Sequence, residues 1–170
     1  MRELDKIDQA ICDLLMEDGR MACAEIAFRI GNISERVVRY RLNRLIRQGI
    51  IRVSAIPDPK ALGFPVVADV FIEVEPGYVL DVARQLADYD CVGYVACSTG
   101  DRDISIQVYA RDNEELYRFV TEVVGKVLKV KRTSIMLVPL VLKDVYKWRI
   151  PDSVCNSGTE GSKVASEPTA

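Results

Sequence analysis

The chain has 170 residues, of which 49% are hydrophobic and 28% charged, a composition typical of one medium-sized globular domain or two small ones. Its formal net charge of −2 and pI near 5.3 do not indicate nucleic-acid binding for the chain as a whole. The sequence contains no histidine, which removes the commonest general base and metal ligand. We therefore expect no enzymatic activity, no cofactor and no metal site.

The first 50 or so residues are predicted to form three helices, over about residues 5–17, 23–29 and 35–48, from apolar residues at helical spacing. Asp5 is placed to cap the first helix, and Gly31 suits a left-handed turn after the second. Ser34 is a good N-cap for the third helix, where Ile33 and Val38 stand at the positions of a hydrophobic staple. Residues 1–56 are therefore expected to be a helix-turn-helix domain that ends in an extended segment over 50–56.

Prolines and glycines then break the chain and predict a linker over residues 57–65. Residues 66–148 alternate between strand and helix patterns in the order βαββαβ, with strands over 66–75, 91–100, 102–111 and 130–146. The intervening helices are expected over 77–89 and 112–127, with Asp112 as a cap. This order predicts a ferredoxin-like domain, so the fold class is α+β. The remaining residues, 149–170, are rich in Ser, Gly, Thr and Pro and are expected to be disordered.

The third helix carries a concentration of arginine. Seven arginines and one glutamate lie between Arg29 and Arg52, a local net charge of +6 that suits a phosphate-binding surface. On a helical wheel, one arc holds the apolar residues Val38, Leu42, Leu45 and Ile46. The opposite arc holds Arg36, Val37, Tyr40, Asn43, Arg44 and Arg47, which suit base edges in the major groove of double-stranded DNA. Arg39 and Arg41 on the flanks suit phosphates, and Ser34 at the helix start completes the predicted DNA-binding set.

Four segments resemble the Lrp/AsnC family of leucine- and asparagine-responsive regulators: LDKIDQAICDLLMEDGRM, IAFRIG, ISERVVRYRLNRLIRQGIIR and VACSTGDRDISIQVYARDNEEL. The resemblance covers about residues 3–148. It implies a winged helix-turn-helix, and homodimers that form through the ferredoxin-like domains and often assemble into octamers. It also implies a small effector, usually an amino acid, bound near the T-G-D-x-D turn.

That turn supplies the predicted effector residues Thr99, Gly100, Asp101 and Asp103. Gly100 permits close backbone approach, Thr99 and backbone amides could receive a carboxylate, and Asp101 or Asp103 could pair with an ammonium group. A purely structural turn is the alternative. The chain departs from the family in two places, at an additional Asn32 before the third helix and at Leu128-Lys129-Val130, where many members have a small glycine turn.

Two other functions remain as alternatives. One is a non-DNA-binding small-molecule sensor, in which the arginines form only a solvated helix surface. The other is an enzyme similar to the sirohaem decarboxylases that resemble this family, which the absence of histidine disfavours. We also expect the sheet to present apolar groups on both faces, along 66–74 and 104–108, and so to supply a dimer surface.

The sequence also indicates where in the cell the protein is expected to be. No stretch reaches about 18 uncharged apolar residues and the chain starts with charged ones, so we expect a soluble, cytoplasmic protein without a membrane partner. Five cysteines, an odd number without a C-x-x-C pair, are expected to be free thiols in a reducing environment.

Overall fold

A computed structural model describes residues 4–155, which divide into two compact units. Residues 4–55 and 143–155 form a helical unit, and residues 56–142 form an α/β unit. This division differs from the predicted one at its C-terminal end, because 143–148 were assigned to the ferredoxin-like domain. Of the tail predicted to be disordered, residues 149–155 include a 3-10 turn over Asp152–Val154 and contact the helical unit, and residues 156–170 lie outside the described residues.

The helical unit consists of helices α1 (Lys6–Glu17), α2 (Cys23–Ile30) and α3 (Glu35–Arg47), within two residues of the predicted bounds. Their ends follow from the predicted caps. The Asp5 carboxylate accepts hydrogen bonds from the amides of Ile7 and Asp8, and the Asp8 side chain accepts one from the Asp5 amide, which makes a reciprocal capping box. The Ser34 hydroxyl accepts from the Val37 amide at the start of α3.

The turn between α2 and α3 contains two residues with positive backbone angles. Gly31 has φ +72° and Asn32 has φ +55°. Asparagine tolerates this left-handed region better than most residues with a side chain, so the turn delivers Ser34 to its capping position.

Three apolar helix faces meet in the core of this unit. The buried members are Ile11, Cys12, Ile26, Ala27, Val38 and Leu45. Ile46, which the wheel assigned to the buried arc, is instead 43% exposed. Residues 50–56 follow α3 without forming a strand in the described part of the chain, although Ile50 and Ile51 pack against the core.

A C-terminal segment, residues 143–155, packs on α1. The side-chain amide of Gln9 donates to the carbonyl of Ile150 at 3.0 Å and to the carboxylate of Asp152 at 2.9 Å. Lys6 pairs with Asp152 at 2.7 Å, and this pairing raises the pKa of Lys6 and, together with Gln9, lowers that of Asp152. Cys155 is buried and forms a parallel bridge with Leu4, so both ends of the described chain lie in the helical unit.

The α/β unit contains β1 (Val66–Val74), α4 (Val79–Ala87), β2 (Val92–Cys97), β3 (Ile104–Ala110), α5 (Asn113–Arg118) and β4 (Val130–Leu137). The strands form an antiparallel sheet in the order β2-β3-β1-β4, which is the ferredoxin-like topology. Asp112 caps α5, as predicted, and the helix continues through a π turn over Phe119–Val123. The α+β class and both domain types are thus confirmed.

The last strand is shorter than predicted. β4 ends at Leu137, and after one further hydrogen bond from the Val138 amide to Val67 the chain reaches Pro139, which has no amide to donate. The apolar pattern beyond it was read as strand, but Leu140, Val141 and Leu142 are exposed.

The two faces of the sheet differ. Alternate residues of β1 and β3 are buried with the two helices, namely Ala68, Val70, Ile72 and Val74 together with Ile104, Ile106, Val108 and Ala110. On the opposite face β3 presents Ser105, Gln107 and Tyr109, so the expectation of apolar groups on both sides of β3 is wrong. Here Gln107 donates to Asp69 at 3.1 Å and accepts from the Tyr109 hydroxyl at 2.9 Å.

No helix in the part of the chain that the structure describes is long and apolar enough to cross a membrane.

Candidate functional site

Helix α3 presents one broad exposed surface. Its exposed residues include Arg36, Val37, Arg39, Tyr40, Asn43 and Arg47, with Ser34 exposed at the helix start. Tyr40 is 61% exposed, and Val38 and Leu45 on the opposite side are fully buried. Seven of the nine residues predicted to contact DNA therefore share an accessible surface, which we call the α3 surface.

Arg41 and Arg44 are the two exceptions. Both side chains are only 20% exposed and turn towards α1. Arg41 donates to Asp5 at 2.7 Å and to Asp8 at 3.0 Å, while Arg44 donates to the other carboxylate oxygen of Asp8. The prediction that Arg44 lies on the exposed arc is therefore wrong, because an internal carboxylate competes for it.

Asp5, Asp8, Arg41 and Arg44 form a mixed-charge cluster between α1 and α3. Asp8 is 1% exposed, and the Nε atom of Arg44 is buried without a hydrogen-bond partner among the described residues. Burial of Asp5 favours a higher pKa, but hydrogen bonds from Arg41 and from the amides of Asp8 and Ile7 outweigh it and lower the pKa. Burial likewise opposes the charged form of Arg41, but its hydrogen bonds to Asp5 and Asp8 raise its pKa.

This cluster is not evident from the arginine pattern of α3 alone, although α1 carries one signal of it. Asp8 lies four residues after Leu4 and three before Ile11, on the apolar side of α1. A carboxylate in an apolar helix stripe needs a partner, because an unpaired buried charge is strongly unfavourable.

Internal ion pairs also reduce the charge offered by the arginine-rich region. Glu17 pairs with Arg29 at 2.8 Å, and Asp5 and Asp8 take Arg41 and Arg44. These three carboxylates lie outside residues 29–52. When their charges are added to the net charge of +6 of that segment, the sum is +3. Arg39 also pairs with Glu35, whose charge is already counted in the 29–52 segment, and this pair, like Arg29 with Glu17, is exposed. Within residues 4–155, Arg36, Arg47 and Arg52 have no ion-pair partner.

The turn between β2 and β3 holds the predicted effector residues. Thr99, Gly100 and Asp101 are exposed, and Gly100 has φ +134°, a conformation that favours glycine. Asp103 differs, because its carboxylate accepts from the Val74 amide at 2.8 Å while its own amide donates to the Ile72 carbonyl. Of the two aspartates predicted as alternatives for pairing with an ammonium group, Asp103 therefore anchors the turn to β1, and Asp101 is the exposed one.

A second turn lies next to the same end of β1. The Glu75 amide, one residue beyond Val74, donates to the carbonyl of Lys129 at 2.9 Å. Lys129 adopts φ +78°, its ammonium group pairs with Glu75 at 3.0 Å, and it lies 4.8 Å from the centre of the Tyr78 ring. Lys129 is thus a residue with a side chain in the left-handed region, within the segment 128–130 where the family resemblance suggests a small glycine turn.

All five cysteines are free. Cys12 and Cys155 are buried, and burial together with the nearby charges of Asp8, Asp13 and Cys155 raises the pKa of Cys12 to about 11. Burial also raises the pKa of Cys91, whereas Cys97 is exposed. The buried thiols pack as small apolar groups.

Comparison with known proteins supports both halves of this description. Residues 4–52 match the winged helix-turn-helix DNA-binding model, and residues 67–147 match the Lrp/AsnC ligand binding domain. An uncharacterized HTH-type transcriptional regulator of Pyrococcus horikoshii, PH0140, is 41% identical over 86% of this chain and 90% of its own length. The HTH-type transcriptional regulator FL11 of Pyrococcus furiosus is 33% identical over 83% of this chain and 93% of its own.

The fold is also shared with solved structures. Escherichia coli AsnC superposes with a TM-score of 0.77 at 23% identity, over 85% of this chain and 99% of that one. A transcriptional regulator of Neisseria meningitidis, NMB0573, solved as its L-Met complex, gives a TM-score of 0.76 at 22% identity over 83% of this chain and 93% of its own. From the family matches and the relative that is 41% identical, the chain belongs to the Lrp/AsnC family of helix-turn-helix transcriptional regulators.

Proposed function

We propose that this regulator reads DNA sequence with the α3 surface and that a free amino acid bound at the β2–β3 turn modulates its binding. The observation that carries the first part is the exposed arc of α3. Arg36, Tyr40 and Asn43 point away from a core that fixes the helix through Val38 and Leu45.

Their chemistry suits the major groove. Arginine pairs bidentately with guanine and asparagine with adenine, and the Val37 side chain can contact a thymine methyl group. Arg39 and Arg47 extend the surface with cations that suit phosphates, which set the position of the helix without reading sequence. Of the two arginines predicted to face base edges, Arg36 and Arg44, only Arg36 is exposed.

The DNA-reading proposal is tested on duplexes selected by this protein from a random pool. Arg36→Ala should lose about 1–3 kcal/mol of affinity for the selected site and relax the preference at one position. Arg39→Ala should weaken binding to selected and random duplexes alike and reduce the salt slope by about one.

Arg84→Ala is the matched control, because Arg84 is an exposed helical arginine of the α/β unit. If Arg36→Ala and Arg39→Ala bind every duplex as tightly as this control does, the α3 surface is not the DNA-reading surface. If the unmodified protein enriches no duplex from the random pool, the sensor without DNA-binding activity replaces the proposal.

The proposed assembly is a two-fold dimer that reads paired half-sites about one helical turn apart, or a multiple of that. A single helix-turn-helix makes few contacts, and two-fold symmetry doubles them. The sheet face without helices offers Phe71, Tyr94 and Met136 as apolar contact groups, and the latter two are exposed. Size-exclusion chromatography with light scattering should give twice the chain mass of 19.0 kDa, and a stable monomer at micromolar concentration would contradict this assembly.

The effector proposal is supported by the exposed Thr99, Gly100 and Asp101 on a turn that Asp103 anchors. This arrangement presents backbone amides to a carboxylate and one free carboxylate to an ammonium group. The structural neighbour crystallised with L-Met supports an amino acid as the ligand class. To alter DNA affinity, the ligand must bind the DNA-competent state with a different affinity, a coupling of about 1–3 kcal/mol.

Thermal melting in the presence of each of the twenty amino acids tests this part. A ligand at a hundred times its Kd should stabilise the fold by about 2.7 kcal/mol. Asp101→Ala should abolish the shift, whereas Asp81→Ala, an exposed aspartate on α4, should retain it. A ligand-induced shift that survives Asp101→Ala unchanged would place the ligand elsewhere, and the absence of any shift would reject an amino acid effector.

A further inference from the structure

Asp8 is the only buried polar or charged residue among those that the structure describes. It lies in the first turn of α1, and its two carboxylate oxygens are both used. One accepts from Arg41 at 3.0 Å, and the other accepts from Arg44 and, at 3.3 Å, from the Asp5 amide. The two arginines belong to α3, so this single carboxylate joins the first helix to the helix that carries the proposed DNA-reading surface.

The cluster of Asp5, Asp8, Arg41 and Arg44 is electrically balanced, with two carboxylates and two guanidinium groups. Arg41 has both carboxylates as partners. Arg44 has only Asp8 within residues 4–155, so the hold on Arg44 depends entirely on that residue. Because opposite charges lie within hydrogen-bond distance, the cluster adds almost no net positive potential to the surface that would face a phosphate.

A second ion pair on the same helix provides the contrast. Arg39 pairs with Glu35 one turn away, but the two side chains are 64% and 47% exposed. Such an exposed pair contributes little, so Arg39 can exchange Glu35 for a DNA phosphate at small cost. Arg44 cannot make the same exchange easily, because it would leave Asp8 without one of its partners in a buried site. Two arginines with similar positions in the sequence thus differ in availability.

We infer that Asp8 is a positioning residue for DNA recognition, which withholds Arg44 and, with Asp5, Arg41 from the DNA backbone and fixes the orientation of α3. This inference rests on the proposed function of the α3 surface. By reserving two cations for internal pairing, Asp8 limits sequence-independent attraction and leaves discrimination to the residues that remain exposed.

The salt dependence of binding to a random-sequence duplex separates this role from a purely structural one. Each phosphate contact changes the slope of log K against log salt by about 0.9. Asp8→Asn keeps the size of the side chain but removes its charge, which frees Arg44, so the slope should become steeper by about 0.9. Random-duplex affinity at low salt should rise, and the ratio of selected-site to random affinity should fall.

The double variant Asp8→Asn with Arg44→Gln removes both charges of the buried pair. Its slope should equal that of the unmodified protein, because neither charge reached the DNA before. A decrease of about 0.9 in the double variant would show that Arg44 contacts phosphate and would overturn the inference, as would an unchanged slope in a folded Asp8→Asn variant. Circular dichroism monitors folding of both variants. If Asp8→Asn does not fold, the salt slope of the double variant is the measurement that tests the inference.

Arg39→Gln serves as the reference in the same titration. Its slope should fall by about 0.9, since Arg39 is exposed on the α3 surface. An unchanged slope for Arg39→Gln would reject the proposed function of the α3 surface. The results for the Asp8 and Arg44 variants reject only the inference about Asp8, so the two failures are distinguishable.

Discussion

Asp5 both caps helix α1 and pairs with an arginine of α3. One carboxylate oxygen accepts from the Ile7 and Asp8 amides, and the other accepts from Arg41 at 2.7 Å. These bonds all favour the ionised form, and together they lower the pKa of Asp5 against the opposing effect of burial. The same carboxylate therefore links the local stability of α1 to the pH.

We expect Asp5→Asn to separate the two contributions. Asparagine retains the cap but loses the charge, so the variant should be about 1 kcal/mol less stable at neutral pH. Because the folded-state pKa lies below the unfolded value of about 3.9, the charge stabilises the fold above that value and is lost as the pH falls through the folded pKa. Thermal unfolding from pH 7 to pH 3 should show the difference from the unmodified protein shrink below about pH 4.

Asp81→Asn, at an exposed carboxylate, is the control for that titration. A difference between Asp5→Asn and the unmodified protein that stayed constant down to pH 3 would contradict the role assigned to the Asp5 charge.

Lys129 has a strained backbone that its side-chain contacts offset. A left-handed conformation at φ +78° costs a residue with a side chain about 1 kcal/mol, whereas glycine adopts it without penalty. The ion pair with Glu75 and the contact with Tyr78 are lost in both Lys129→Gly and Lys129→Ala. Lys129→Gly should therefore be more stable than Lys129→Ala by about 1 kcal/mol in urea unfolding. Equal free energies of unfolding for Lys129→Gly and Lys129→Ala would show that the turn relaxes to a backbone conformation that alanine adopts without this cost.

At the level of elements, the parts of the fold that were predicted well are those with strong local signals. The caps Asp5, Ser34 and Asp112 set the starts of three helices, and the alternation of buried and half-buried residues in β3 defines its register. The parts predicted poorly depend on distant residues. The wheel of α3 assigned Arg44 to solvent because a wheel contains no information about Asp8, which lies 36 positions away.

The contacts of β2 with β3 illustrate another limit of local patterns. Gly93 interrupts an otherwise apolar strand, and the Tyr109 ring of β3 lies directly against it. A Cβ atom built on Gly93 would be 2.2 Å from Cε2 of Tyr109. The register also shifts between Val92 and Tyr94, so this glycine is where the strand bends around the ring.

Gly93→Ala should accordingly destabilise the α/β unit by about 1–3 kcal/mol through overpacking. Combining it with Tyr109→Ala should remove most of that penalty, because the clashing ring is then absent. Urea unfolding of both single variants and the double variant gives the interaction free energy. A double variant whose losses simply add would mean that the cost of Gly93→Ala does not arise from contact with the Tyr109 ring.

The whole molecule has an inserted arrangement, since the α/β unit occupies residues 56–142 and the chain on both sides of it belongs to the helical unit. The returning segment buries Cys155 and packs Ile150 against the helical core, and it adds the polar contacts of Lys6 and Gln9 with Asp152. Local patterns do not predict this packing, because residues 143–146 continue an apolar pattern typical of a strand, residues 147–155 have no helical or strand period, and the partner Gln9 in α1 lies 141 to 143 positions earlier.

Truncation before residue 143 should consequently destabilise the helical unit. Burying one large apolar side chain contributes about 1.5–3 kcal/mol, and ordering the segment offsets part of this, so we expect a loss of about 2 kcal/mol. Hydrogen exchange of the α1 amides should accelerate while that of the β1 and β3 amides stays unchanged. Truncation after residue 155 is the matched control and should leave α1 protection unaltered, because every contact described between the segment and α1 is retained. Equal α1 protection in the two truncated proteins would mean that residues 143–155 only rest on a helical unit that is already stable without them.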